Sequence, residues 1–275
     1  MMPSLTDVRW RHATRIIASR FPPIDLYERL TKDTEVRAML IEAEMMTNPR
    51  LRQEAGQISL VEPEDRVFGP GATYVMAPFV HLNPRGSRFS DGSYGVYYAA
   101  KGFETALHEV SYHFGLYAAD AADDTRYEDM RVLVGEISES FHDVSALPDA
   151  GDAARILSPS DYTASRAFAR ALRDTGSNGI LYPSVRHAGG HCIGAFRPRA
   201  VGIPVQERHI QFHWDGARVA RWFDYQSAIW HEIASDLRNA VPQGRGTIVS
   251  KLPNMFCRSH DQPDGDQSGL PFQKV

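Results

Sequence analysis

The spacing of apolar positions changes several times along the chain, and each change marks an element. In the first sixty residues, Ile16, Ile17 and Phe21 end one apolar stripe at Pro22-Pro23. Leu26, Leu30, Val36, Leu40 and Ala43 form a second stripe after Asp25, which Asn48-Pro49 ends. Charged residues fill the gaps, as on a one-sided packed helix, so residues 1–60 are expected to be a helical extension. From about Arg66 the runs become short and strand-like: 94–100, 131–137, 179–182, 192–197, 201–205, 209–214 and 218–222. The last two are joined by Asp215-Gly216, a hairpin signal. Three more helices are predicted between and after them. The first covers 103–113, with Leu107, Val110 and Phe114 on one face. The second covers 161–175, stopped at Gly176, and the third 227–237, with Ile229, Ile233 and Leu237 at helical spacing. After Ala240 the chain turns to Gly, Pro and polar residues, the composition of a loose tail. The expected fold class is α+β, with a catalytic-sized domain over 61–240 between the extension and a tail at 241–275.

Composition narrows the class. With 43% hydrophobic and 23% charged residues, the chain is neither disordered throughout, collagen-like nor a disulfide scaffold. A net charge of −4 argues against a dedicated nucleic-acid binder. No stretch approaches the ~20 apolar residues of a membrane span. Asp7, Arg9, Arg11 and Arg15 stand where a signal peptide needs its apolar core. Cys192 and Cys257 alone make neither a disulfide framework nor a zinc set. A soluble, cytoplasmic protein is expected.

Several familiar motifs fail on geometry. His108-Glu109 followed by His113 resembles a zinc-protease helix, but five steps rotate the second ring by about 140°, away from the first. Gly69-Pro70-Gly71 lacks the later glycine of a dinucleotide fingerprint, and Ser184 lacks the glycines of a nucleophile elbow. His191 and Cys192, adjacent on a strand, point to opposite faces. No metal site is expected.

The informative stretch runs from Gly86 to Glu109. Ser87-Arg88-Phe89-Ser90 forms a turn, Tyr98-Ala99-Ala100 ends a strand, and Glu104-Thr105-Ala106-Leu107-His108-Glu109 opens a helix. On that helix Glu109 lies about 200° round from Leu107, off the apolar stripe. From the residues alone, Glu109 could equally be a surface carboxylate, Arg88 a loop ion pair and the tyrosines core.

These pieces, in this order, resemble the RES domain, a toxin family named for an Arg, a Glu and a Ser. Its early Tyr-Arg-Val is similar to Asp65-Arg66-Val67, and its late Tyr-Pro-Ser to Tyr182-Pro183-Ser184. The likeness covers roughly Arg66 to Trp222. Phe89-Ser90 replaces the Trp-Asn of shorter members, so no role of that pair carries over. Residues 1–60 exceed the minimal domain, as in longer members with an Arg-Phe-Ser-Asp-Gly turn.

The resemblance implies a split β-core similar to the catalytic fold of mono-ADP-ribosyltransferases, with a cleft for NAD⁺. It also implies a toxin that consumes NAD⁺ by hydrolysis or phosphorolysis, or that transfers ADP-ribose to a protein. Breaking the nicotinamide–ribose bond passes through an oxocarbenium-like state, as glycoside hydrolysis does. The implied roles are Glu109 at the ribose and its developing charge, Arg66 and Arg88 at the pyrophosphate, Tyr98 at the nicotinamide-ribose end, and Ser184 at a phosphate or the ribose. NAD⁺ is substrate rather than cofactor. The expected partners are an Xre-type antitoxin and a second copy of the chain, with DNA binding left to the antitoxin. A different outcome is an inactive binding module in which the same residues are structural.

Overall fold

A computed structural model describes residues 2–19 and 56–234. The chain divides into one unit, Met1–Gln243, and a second, Gly244–Val275; the second, like the whole of the expected tail at 241–275, lies outside the described residues. Among the described residues eight strands form one sheet: β1 (Leu5–Ala18), β2 (Tyr97–Ala100), β3 (Arg126–Asp143), β4 (Gly179–Pro183), β5 (His191–Ala195), β6 (Val205–Trp214), β7 (Val219–Asp224) and β8 (Ile229–Glu232). Four α-helices accompany them within the described residues: α1 (Ala72–Val80), α2 (Phe103–Asp120), α3 (Ala150–Ile156) and α4 (Thr163–Asp174). The class is α+β, as the sequence predicts. No helix among the described residues is long and apolar enough to cross a membrane.

The sheet curls on itself because β1 pairs with both β2 and β3. With β2–β5, β5–β4 and the short parallel β4–β3 pairing, the strands β1-β2-β5-β4-β3 close a ring, and β6, β7 and β8 extend from β3. One face of β2 and β5, carrying Tyr97, Ala99, Ile193 and Ala195, packs on α1 residues Val75, Met76 and Phe79 in the main apolar core. Alternation sends Tyr98 to the other face. There α2 packs against β1, β2, β6 and β7.

The extension expected to be helical is a strand where it is described. Leu5–Ala18 pairs along nearly its whole length with β3, and residues 20–55, which carry the second apolar stripe, lie outside the described residues. The pairing shifts register between Trp10 and Ala13, a bulge that turns Val8 and Ala13 to the same core. The bulge disguises the strand's two-residue period as a longer spacing.

Two further readings are corrected. The run at 227–237 opens as β8, not a helix: Ala228 adopts φ 57, and Ile229 to Glu232 pair with β7. Residues 201–205 are not a strand until Val205. The Pro198–Ala200 segment is a 3-10 turn, and Gly202 N donates to the Glu136 carbonyl. Two helices have no counterpart in the sequence reading: α3, only seven residues long, and α1, which contains Pro78 and is buried at Ala72, Thr73, Val75, Met76, Phe79 and Val80, so it shows no polar face.

Candidate active site

The turn before β2 is wired by its own side chains. Gly86 takes φ 71, and Ser87 N donates to the Ser90 carbonyl at 2.7 Å. Ser90 Oγ donates to the Tyr94 carbonyl at 2.5 Å, and Tyr94 OH to the Phe89 carbonyl at 2.7 Å. The Phe89 ring is fully buried between Tyr98, stacked at 6.3 Å, and Tyr182, edge-on at 4.9 Å. Tyr98 OH accepts the Phe89 N–H at 3.0 Å and shares a 2.8 Å hydrogen bond with Ser87 Oγ. Burial pushes this phenol up, against the pull of the Ser87 and Phe89 hydrogen bonds.

These contacts aim Arg88 inward, where it is 7% exposed. Its Nη1 donates to the carbonyls of Ser158 at 2.8 Å and Ile156 at 3.3 Å, and its guanidinium lies 4.6 Å above the Tyr162 ring. Arg186, 3% exposed, reaches the same segment from the β4–β5 loop. It donates to the Pro159 carbonyl and lies 3.4 Å over the Tyr112 ring. Two buried arginines thus hold residues 156–162 beside α2.

Thr105, His108, Glu109 and Tyr112 share one face of α2, at i, i+3, i+4 and i+7. The loop from Ser184 to Gly190 docks along this face. Ser184, just past the end of β4 and 8% exposed, donates through Oγ to Glu109 Oε1 at 2.6 Å. The same Oγ accepts the backbone N–H groups of His187 at 2.9 Å and Arg186 at 3.2 Å. With two donors on its lone pairs, the hydroxyl turns its proton to the carboxylate. This charge-assisted bond fixes the Glu109 rotamer from β4.

The surroundings suit a carboxylate that is half-buried. The Cys192 thiol is pushed well up, first by burial and then by Glu109, and Tyr182 likewise by burial, with Cys192 and Glu109 adding to it. His113, one turn beyond Glu109, has exposed surface yet crowded surroundings. Desolvation lowers its pKa, opposed by Glu109 and assisted by Arg186 and Arg88.

The structure therefore brings Arg88, Tyr98, Glu109 and Ser184 into one cluster. Arg66 stands apart from it. Its Nε donates to the Val61 carbonyl, and neighbouring Asp65 pairs with Arg197 and Arg199, just beyond the Ala195 end of β5. Ser184 and Gly190 are at the opposite, His191 end of that strand. A depression of about 230 Å³ lies between α3 and α4, lined in part by Ile156. Among the described residues no group of three or more His, Cys, Asp or Glu side chains could hold a metal ion. Arg186, Thr105, Tyr112 and His187 were not singled out from the sequence. The run Ser184-Val185-Arg186-His187 after a strand was the available signal, but only folding shows that its loop lies on α2.

A family model for the RES domain matches residues 63–215, and the chain belongs to that family. An uncharacterized protein of Sinorhizobium fredii, y4oC, is 28% identical over 216 residues, covering 78% of this chain and 87% of that protein. Among solved structures, the crystal structure of the M. tuberculosis MbcT–MbcA toxin–antitoxin complex contains a chain 12% identical to this one. The match covers 73% of this chain and 86% of that one, with a TM-score of 0.36, too low to define a shared fold.

Proposed function

We propose that this RES domain is a toxin that cleaves the nicotinamide–ribose bond of NAD⁺ and depletes the cytoplasmic pool. The observation that carries the reading is the Glu109–Ser184 pair, a carboxylate held in one orientation by a hydroxyl that two backbone amides have themselves oriented. Such a carboxylate, placed against the ribose, stabilises positive charge as it develops at the anomeric carbon.

The reaction balances without a cofactor. The bond between the anomeric carbon and the pyridinium nitrogen breaks, both electrons leave with nitrogen, and nicotinamide departs neutral. Water captures the carbon and releases a proton, giving ADP-ribose; inorganic phosphate would give the 1-phosphate instead. Arg88, Tyr98 and Arg186 act together with Glu109 on the shared neighbours Tyr182 and His113, and are the cationic and aromatic groups assigned here to the dinucleotide. Arg66 has a part only if the ligand reaches towards the Arg197 end of β5. The split β-core of ADP-ribosyltransferases and an Xre-type antitoxin partner belong to this proposal, supported by membership of the family.

The test is incubation of the purified protein with NAD⁺ labelled in the adenylate, with and without phosphate and cell lysate, and with free nicotinamide measured separately by chromatography in each arm. Release of free nicotinamide in buffer supports the reading. Label transfer only to lysate protein would make the chain an ADP-ribosyltransferase, and no turnover in any arm would make it a binding module.

A further inference from the structure

The loop that presents Ser184 is itself clasped to the helix that carries Glu109. Thr105 Oγ1, buried on α2, lies 2.9 Å from His187 Nδ1. The His187 ring also stacks on His108, at 5.1 Å between centroids and 12° between planes. Two backbone bonds close the loop: Ser184 N to the Gly190 carbonyl at 2.8 Å and Gly190 N to the His187 carbonyl at 3.0 Å. Its fit on α2 is close. A Cβ at Gly190 would stand 2.5 Å from Thr105 Oγ1 and 3.0 Å from His187 Nδ1.

From this circuit we infer that Thr105 is a positioning residue for nicotinamide release, acting through His187. The imidazole that Thr105 holds belongs to the residue whose backbone N–H donates to Ser184 Oγ at 2.9 Å. Ser184 Oγ in turn donates to Glu109, which follows Thr105 by one turn on the same helix. α2 thus provides both the carboxylate and the anchor for the hydroxyl that orients it. Without the Thr105 hydroxyl, the His187 ring loses its bond, the loop relaxes, and the amide no longer points at Ser184. A misplacement of this kind can cost roughly 10- to 100-fold in a chemical step without touching the substrate.

For its kinetic consequence the inference rests on the function proposed above; its structural part stands alone. Thr105→Val keeps the side chain's shape and removes the hydroxyl, while Thr105→Ser keeps the hydroxyl. The expected result is a kcat for nicotinamide release lowered roughly 10- to 100-fold in Thr105→Val, KM for NAD⁺ little changed, and recovery in Thr105→Ser. His187→Leu, which breaks the same contact from the loop side, should match Thr105→Val. A crystal structure of Thr105→Val, or of His187→Leu if that variant alone folds, should show Ser184 Oγ drawn away from Glu109. A variant structure with the Ser184–Glu109 bond intact overturns the inference whatever the activity, as does a Thr105→Val kcat equal to wild type. Equal impairment of Thr105→Ser would overturn it too. A wild-type protein without nicotinamide release refutes the proposed function alone, leaving the displacement of Ser184 to decide the clasp.

Discussion

Ser184 Oγ meets Glu109 Oε1 at 2.6 Å across a sequence separation of 75 residues, joining the end of β4 to the middle of α2. That bond converts a half-buried glutamate into an oriented one. It also gives the late serine of the family motif a physical role: it holds the carboxylate.

Replacing Ser184 by Ala should therefore have two separable effects. The N–H groups of Arg186 and His187 lose their acceptor in a buried turn, costing about 1–3 kcal/mol in stability. Glu109 also loses its orienting donor, so kcat for nicotinamide release should fall roughly 10- to 100-fold. Urea unfolding and steady-state kinetics of the same preparation measure both. A variant as stable and as active as wild type would remove Ser184 from the site.

The arginines should behave differently from one another. Arg88 donates from Nη1 to two carbonyls while its flat guanidinium lies over a ring, an arrangement a lysine ammonium cannot reproduce, so Arg88→Lys should weaken NAD⁺ binding by about tenfold or more. Amide exchange across residues 156–162 should also quicken. Arg66→Lys should change NAD⁺ affinity little, since Arg66 bonds the Val61 carbonyl towards the other end of β5. Calorimetry on both variants decides the matter, and a larger loss in Arg66→Lys would move the dinucleotide to that end.

Which parts of this were legible in the sequence follows from how each element is exposed. α2 and α4 each keep a polar face, so their 3.6-residue period shows, and Gly176 with φ 81 stops α4 where a left-handed residue is needed. The β1 strand does not read as a strand because its bulge puts Val8 and Ala13 on one side, a spacing no regular strand has. The α1 helix is hidden because even its half-buried face, Tyr74, Ala77 and Pro78, carries no charged side chain, so no polar period shows. The site divides in the same way. Arg88, Tyr98, Glu109 and Ser184 lie in short motifs that can be compared with a family. Thr105 and His187 matter through a contact spanning 82 residues, and neither spacing nor periodicity encodes such a contact.

Cys192 gives a check on the interior of the site. Burial and the nearby Glu109 both raise its pKa, the latter because a second negative charge there is disfavoured. A raised thiol pKa means less thiolate at neutral pH, and thiolate is the reacting form. In a Cys257→Ser background, the native protein should resist a thiol reagent at pH 7 and react only on unfolding. Stoichiometric labelling of the folded protein at the rate of a free thiol would show that this side of the sheet is open and that the assigned environment is wrong.

The most direct measurement is nicotinamide release by Glu109→Gln beside wild type. Glutamine keeps the shape and can still accept the Ser184 hydrogen bond through its amide oxygen, so the fold and its unfolding midpoint should be preserved. What is lost is the charge that faces the developing cation. Wild type should release nicotinamide from NAD⁺ and the variant should lose at least about a hundredfold in kcat, the size typical of removing one charge-stabilising group. A correctly folded Glu109→Gln that releases nicotinamide at the wild-type rate would contradict the assignment of Glu109 as the catalytic carboxylate.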